Sequence, residues 1–119
     1  MQGLTIVVAA ADPARLHAAL SLASAWAALD RPAHIFLQAE AVALLLAPDS
    51  DRDRQYRDTG IPTLREMIEE SLAIGVAVTA CQSGLALAGM SAEALPASVE
   101  TGGLVDFLAR HRDDRLMMA

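Results

Sequence analysis

Lysine is absent from this chain; all nine of its positive charges are arginine. That excludes a P-loop lysine, a Schiff-base lysine and a lysine general base. Aromatic residues make up only 3% of the 119 positions, too few for a platform on which nucleic-acid bases stack. Cysteine occurs once, at Cys81, so neither an internal disulfide nor a Cys-x-x-Cys redox pair can form. Such sparing use of cysteine suits a reducing compartment, and a cytoplasmic location is expected. A basic surplus is missing too: the net charge is −6. Phosphate binding needs a basic patch, so no nucleic acid is expected as partner. The uncharged stretch between Arg15 and Asp30 carries His17, Ser21 and Ser24. It is too short to span a bilayer, so no membrane association is expected. The opening MQGLTIVVAA lacks a basic region and is followed by Asp12 and Arg15, unlike a signal peptide.

What the chain has in abundance is apolar side chains, 54% of its residues. One domain spanning 1–119 is too small to hide that much apolar area alone, so a homo-oligomer is expected. LTIVVAA (4–10) shows no polar alternation beyond Thr5, the pattern of a parallel strand covered on both faces. Asp12-Pro13 then reads as an N-cap and first helical residue, opening a helix to about residue 29. Leu16, Leu20, Ala23 and Ala27 mark one stripe of it; Leu22, Trp26 and Leu29 mark another, suited to a second partner such as a neighbouring subunit. AHIFLQ (33–38) reads as a second strand and AEAVALLL (39–46) as a short helix. Residues 47–62 are polar, mixed in charge and punctuated by Pro48, Gly60 and Pro62, and read as a mobile surface loop. Thr63 and Glu66 form a capping box, and Gly75 closes the helix that follows. VAVTAC (76–81) is a third strand, SGLALAG (83–89) a short helix and SVET (98–101) a fourth strand. Gly102-Gly103 opens a helix to about Arg110, and 115–119 is either a fifth strand or a tail.

Strand–helix alternation of this kind predicts a flavodoxin-like three-layer α/β/α sandwich with a four- to five-stranded, mainly parallel sheet. Chemistry in such folds sits at the carboxyl ends of the strands, near the topological switch point. Cys81 ends its strand there, with Gln82 or Ser83 expected to cap the next helix. Backbone N–H groups and the helix dipole favour negative charge on the sulfur, the nucleophilic form. Gly84 leaves space for a second molecule beside the sulfur. Asp12, expected on the neighbouring strand's loop, would oppose the charge. Most single cysteines, however, are inert packing. An anion or small molecule could instead bind through Asp12, Gln82, Ser83 and Gly102; Gly102-Gly103 suits either an anion nest or, more simply, a tight turn. His17 is near enough the same edge to assist a thiol, though packing suffices to explain it. His34 reads as a core or interface histidine and His111 as solvated. No His, Cys and carboxylate spacing marks a metal site, and no cofactor is expected.

Several segments in order resemble the DsrE/DsrF-like family of small sulfur-relay proteins across nearly the whole chain: LTIVVAA with Asp12-Pro13, AHIFLQAEAVALL, IPTLREMIEESLAIGVAVTACQSGLALAGM and VETGGLVDFLAR. The most specific piece runs from Gly75 to Met90, where a glycine precedes a strand ending in cysteine and a short helix ends in Gly-Met. The resemblance implies a flavodoxin-like fold and assembly from dimer to hexamer. In the sulfurtransferase members it also implies a cysteine that carries sulfur as a persulfide between a protein donor and a protein acceptor. Cys81 occupies that cysteine's position. Glu40-Ala41 departs from the Asp-Gly of many relatives, which bears on the shape of the neighbouring pocket. The leading functional expectation is thus a sulfur carrier acting through Cys81. The alternatives are a catalytically silent oligomeric scaffold and a small-molecule or anion-binding module of the same fold. Flavodoxin chemistry is not expected, because the loop after the first strand lacks the Ser/Thr/Gly run that wraps a phosphate.

Overall fold

A computed structural model describes residues 2–119. Five parallel strands form one sheet: β1 (Leu4–Val8), β2 (Ala33–Leu37), β3 (Ala77–Cys81), β4 (Glu100–Gly102) and β5 (Arg115–Met118). They lie in the order β4-β3-β2-β1-β5. Residues 115–118 are therefore a strand, not a tail, and pair with β1 from Leu4↔Arg115 to Val7↔Met118.

This order determines where the helices go. The connections β1→β2→β3→β4 step in one direction, and a constant crossover hand puts their helices on one face. The return from β4 to β5 crosses the other way and puts its helix on the opposite face. On the first face lie α1 (Pro13–Ala28), a 3-10 helix (Ala39–Leu46), α3 (Leu64–Ile74) and α4 (Gln82–Ala88). They pack on Leu4, Ile6, Val8, Ile35, Leu37, Val78 and Ala80 to make the main core. Strand side chains alternate, so Thr5, Val7, His34, Phe36, Ala77, Thr79 and Cys81 point to the other face. Among the described residues only α5 (Leu104–Arg110) covers it, and the core there is small: Val7, Phe36 and Phe107.

The helix ends follow local chemistry. The Asp12 carboxylate accepts the Ala14 N–H at 2.9 Å, with Pro13 in the first turn. Thr63 and Glu66 close their capping box, and Gly75 takes the left-handed backbone at φ 105°. Residues 39–46 wind as a 3-10 helix, and β4 is shorter than SVET suggests. The second stripe of α1 divides. Trp26 is half-buried beneath Arg31, whose guanidinium lies 5.0 Å from its ring centre, whereas Leu22 and Leu29 are exposed.

The loop expected over 47–62 is in part a helix, α2 (Asp51–Asp58). Ser50 and Asp53 form a second capping box. Arg54 pairs with Asp51 at 2.7 Å and Arg57 with Asp49 at 2.9 Å. Asp53 also accepts the N–H of Leu64 at 3.2 Å, tying α2 to the start of α3. The helix buries no residue, so it carries no apolar stripe and its sequence resembles a loop.

One pH effect arises here. Hydrogen bonds from Thr63 hold the Glu66 carboxyl below its ordinary range. A carboxyl lowered in the folded state stabilises the fold above its unfolded value, and that contribution is lost as pH falls through the folded value. Stability should therefore drop between about pH 5 and pH 3, and Glu66→Gln should flatten the drop. Urea unfolding midpoints across that range provide the measurement; identical pH slopes in the two proteins would contradict this account.

Candidate functional site

Cys81 ends β3 on the α5 side of the sheet, half-buried, and packs against both cores. It is itself the N-cap of α4, with an extended backbone at φ −64° and ψ 124°. Its Sγ accepts the N–H of Gly84 at 3.4 Å. Contrary to the expectation from the sequence, neither Gln82 nor Ser83 caps this helix; the sulfur takes the place of a cap oxygen. Strand and helix meet without a linking residue, so the side chain that ends one must begin the other.

A shallow cavity of about 320 Å³ opens at this sulfur, lined by Gln38, Ala39, Cys81, Ser83, Gly84, Leu87, Gly103 and Leu104. Leu87, 71% exposed, forms part of its rim. Apart from the thiol, none of these side chains is an acid or a base. The side chains lining this cavity place no general base or acid beside the sulfur; sulfur exchange, where one thiolate enters and another leaves, needs neither.

The remaining predicted residues are placed as follows. Ser83 is exposed and lines the cavity; Gln82 is exposed outside it. Gly84 is buried, and its missing side chain makes room for the chain itself: a Cβ there would lie 2.3 Å from the carbonyl oxygen of Ala39. It does not leave space for a second molecule. Asp12 is not on the adjacent loop. It follows β1, with β2 between that strand and β3, and its carboxylate is engaged by Ala14 and by Arg15 at 3.6 Å. The switch point likewise falls between β1 and β5 rather than beside Cys81. Gly102 pairs with Cys81 in the sheet, and Gly103 caps α5 with extended backbone. Neither has the positive φ that an alternating anion nest requires. His17 points away from the thiol: its Nε2 is 2.9 Å from the Pro62 carbonyl and its ring meets the edge of Tyr56.

The description of the DsrE/DsrF-like family matches residues 2–117. The chain belongs to the DsrE/DsrF-like family. That family is associated with sulfur relay in general. The structure resembles the ychN protein of E. coli at TM-score 0.74 and 24% identity, each chain covered in full. It also resembles MTH1491, a protein of unknown function from Methanobacterium thermoautotrophicum, at TM-score 0.73 and 18% identity, again over both whole chains. At these identities the likeness establishes the fold. No curated protein matches the chain. Among the described residues no helix is long and apolar enough to cross a membrane.

This DsrE/DsrF-like chain also gathers residues that no spacing in its sequence indicates. His34 of β2, His111 just after α5 and Asp114 just before β5 present ligand atoms within 4.8 Å of one another. Asp114 Oδ2 lies 3.1 Å from His34 Nδ1 and 3.6 Å from His111 Nδ1. The Thr5 hydroxyl, buried beneath, donates to the same oxygen at 2.9 Å. The two imidazoles stack at 3.9 Å between centres, and Phe107 lies 4.6 Å from that of His111. His111 is thus half-buried and not solvated as expected. Burial first, then the neighbouring His34, holds its imidazole below the ordinary histidine value. The signal missed in the sequence is the strand period: Thr5 and His34 are polar residues at inward positions of two apolar strands, and each needed a partner.

Proposed function

We propose that the protein is a sulfur carrier that holds a persulfide on Cys81 and passes it between protein thiols. The observation that carries this reading is the placement of the thiol: half-buried at the end of β3, bonded to a backbone N–H, and in a cavity with no other ionisable side chain. Membership of the DsrE/DsrF-like family supports it. In the first step the Cys81 thiolate attacks the outer sulfur of a donor persulfide. A sulfur–sulfur bond forms at Cys81, the donor's own sulfur–sulfur bond breaks, and the donor leaves as a thiolate. In the second step an acceptor thiolate attacks the outer sulfur on Cys81, and Cys81 leaves as a thiolate. No net oxidation occurs, and no metal or organic cofactor takes part.

The chain acts as a homo-oligomer in this proposal. Exposed Leu22, Leu29, Val105, Leu116 and Met118 supply apolar surface for a second copy to cover. Intact-mass measurement tests the central step. After incubation with a low-molecular-weight persulfide, the wild-type chain should gain one sulfur atom, and the Cys81→Ser chain should gain none. Wild-type protein that stays at its starting mass, and is alkylated by iodoacetamide only after denaturation, would instead mark Cys81 as packing and the protein as a scaffold.

A further inference from the structure

The structure assigns a second site to this chain: we propose that His34, His111 and Asp114 bind a divalent first-row transition metal, with zinc the best fit.

Three observations carry this. The donor set is the first. Two imidazoles and one carboxylate suit zinc and its neighbours, whereas calcium and magnesium prefer oxygen alone. Ligand atoms sharing one zinc ion stand roughly 3–4 Å apart. The separations from Asp114 Oδ2, 3.1 and 3.6 Å, fall in that range. The widest spacing in the set is within 4.8 Å.

The second is the support around the ligands. Metal sites are oriented by groups that hold the ligands rather than the ion. The Thr5 hydroxyl fixes the Asp114 carboxylate from below. Gly3 makes room for that carboxylate, since a Cβ at position 3 would lie 2.5 Å from Asp114 Oδ1. Phe107 holds the ring of His111 from α5. The ligands come from two segments, β2 and the turn that joins α5 to β5, and their side chains are only 16 to 20% exposed. They are sheltered from bulk water without being sealed.

The third is access. A cavity of about 210 Å³ opens beside the two histidines, running under α5 from Ala77 to Gly103. A bound ion would keep a coordination position facing this space, open to water or to a small anionic ligand. Glu100 also lines the cavity and adds a carboxylate. The site lies toward the amino-terminal ends of β1, β2 and β5, whereas Cys81 lies at a carboxyl end. It therefore stands or falls independently of the persulfide reading.

Zinc chloride added to the full chain after chelator treatment is the test. The Cys81→Ser background removes the thiol as a competing ligand. We expect one zinc per chain after desalting and a melting temperature that rises with free zinc. Cobalt(II) in its place should give the strong visible absorption of a four-coordinate ion without a sulfur-to-metal band. Asp114→Asn keeps the shape of the ligand and an oxygen for Thr5, and it should lose the zinc while remaining folded by circular dichroism. His34→Gln provides the same comparison should the Asn protein fail to fold. No zinc on the Cys81→Ser chain overturns the proposal. So does equal zinc on that chain and on a folded ligand variant, because the metal then sits elsewhere.

Discussion

Gly84→Ala should destabilise the protein by about 3 kcal/mol or more, at the upper end of what overpacking costs. The added methyl would lie 2.3 Å from the Ala39 carbonyl oxygen, 3.0 Å from its carbon and 3.1 Å from its Cα. These are backbone atoms, so no side-chain rotation relieves the clash. Ala39 has little freedom to yield. It already holds a left-handed backbone at φ 50°, uncommon for alanine. The 3-10 helix that follows is anchored by Ala41 and Val42, both fully buried. The same shift would pull the Gly84 N–H from the Cys81 sulfur, so the fold and the thiol's setting should fail together. A melting temperature lower by roughly 10 °C or more is expected in a thermal scan, with Ser83→Ala, one exposed position away, as control. A Gly84→Ala protein melting within two or three degrees of wild type, about the scale of 0.5 kcal/mol, would show that the close approach at Ala39 is not a constraint.

Phe36→Ala is expected to cost about 3–5 kcal/mol. Phe36 is fully buried, and its ring centre lies 4.9 Å from that of Phe107. On the main-core side such a loss would be shared among four helical segments. On the α5 side the buried core is three residues, Val7, Phe36 and Phe107, so removing one ring takes away much of what holds α5 to the sheet. Surroundings that are few and partly exposed also collapse poorly around a cavity. Phe36→Leu, which keeps most of the volume, should cost less than about 1.5 kcal/mol. Urea unfolding midpoints give both values. A Phe36→Ala protein within 1 kcal/mol of wild type, about the spread of conservative core changes, would mean that α5 is held by something other than this contact.

Much of the fold was legible because local chemistry and burial agreed. LTIVV is apolar apart from Thr5, and the first strand is indeed buried at every position. The Thr63 capping box and Gly75 mark their helix ends as the sequence reading expected. α2 was not legible, because a helix held by caps and ion pairs leaves no periodic trace. Cys81 was identified as the candidate, but its role as cap was not, since sulfur is an unusual cap acceptor. Gly84 was assigned to the wrong neighbour, because nothing in a sequence tells which backbone will pass beside it. Strand order was out of reach too, and that displaced Asp12: adjacency in a parallel sheet depends on crossovers, not on loop composition. The His34, His111 and Asp114 cluster is the clearest case. His34 lies 80 residues before Asp114, and only the insertion of β5 beside β1 brings it to the His111–Asp114 turn.

That insertion has a consequence for how the chain acquires its shape. Strands β1, β2 and β3, with their crossovers, can assemble from residues close in sequence. β5 must travel back across the whole molecule to lie beside β1, a long loop closure that slows folding. Until residues 115–118 are available, LTIVV is a bare edge: largely apolar, uncharged and ready to pair with another chain. The short strand RLMM is in this sense an internal chaperone, and the time before it docks is the interval in which the protein is most exposed to aggregation.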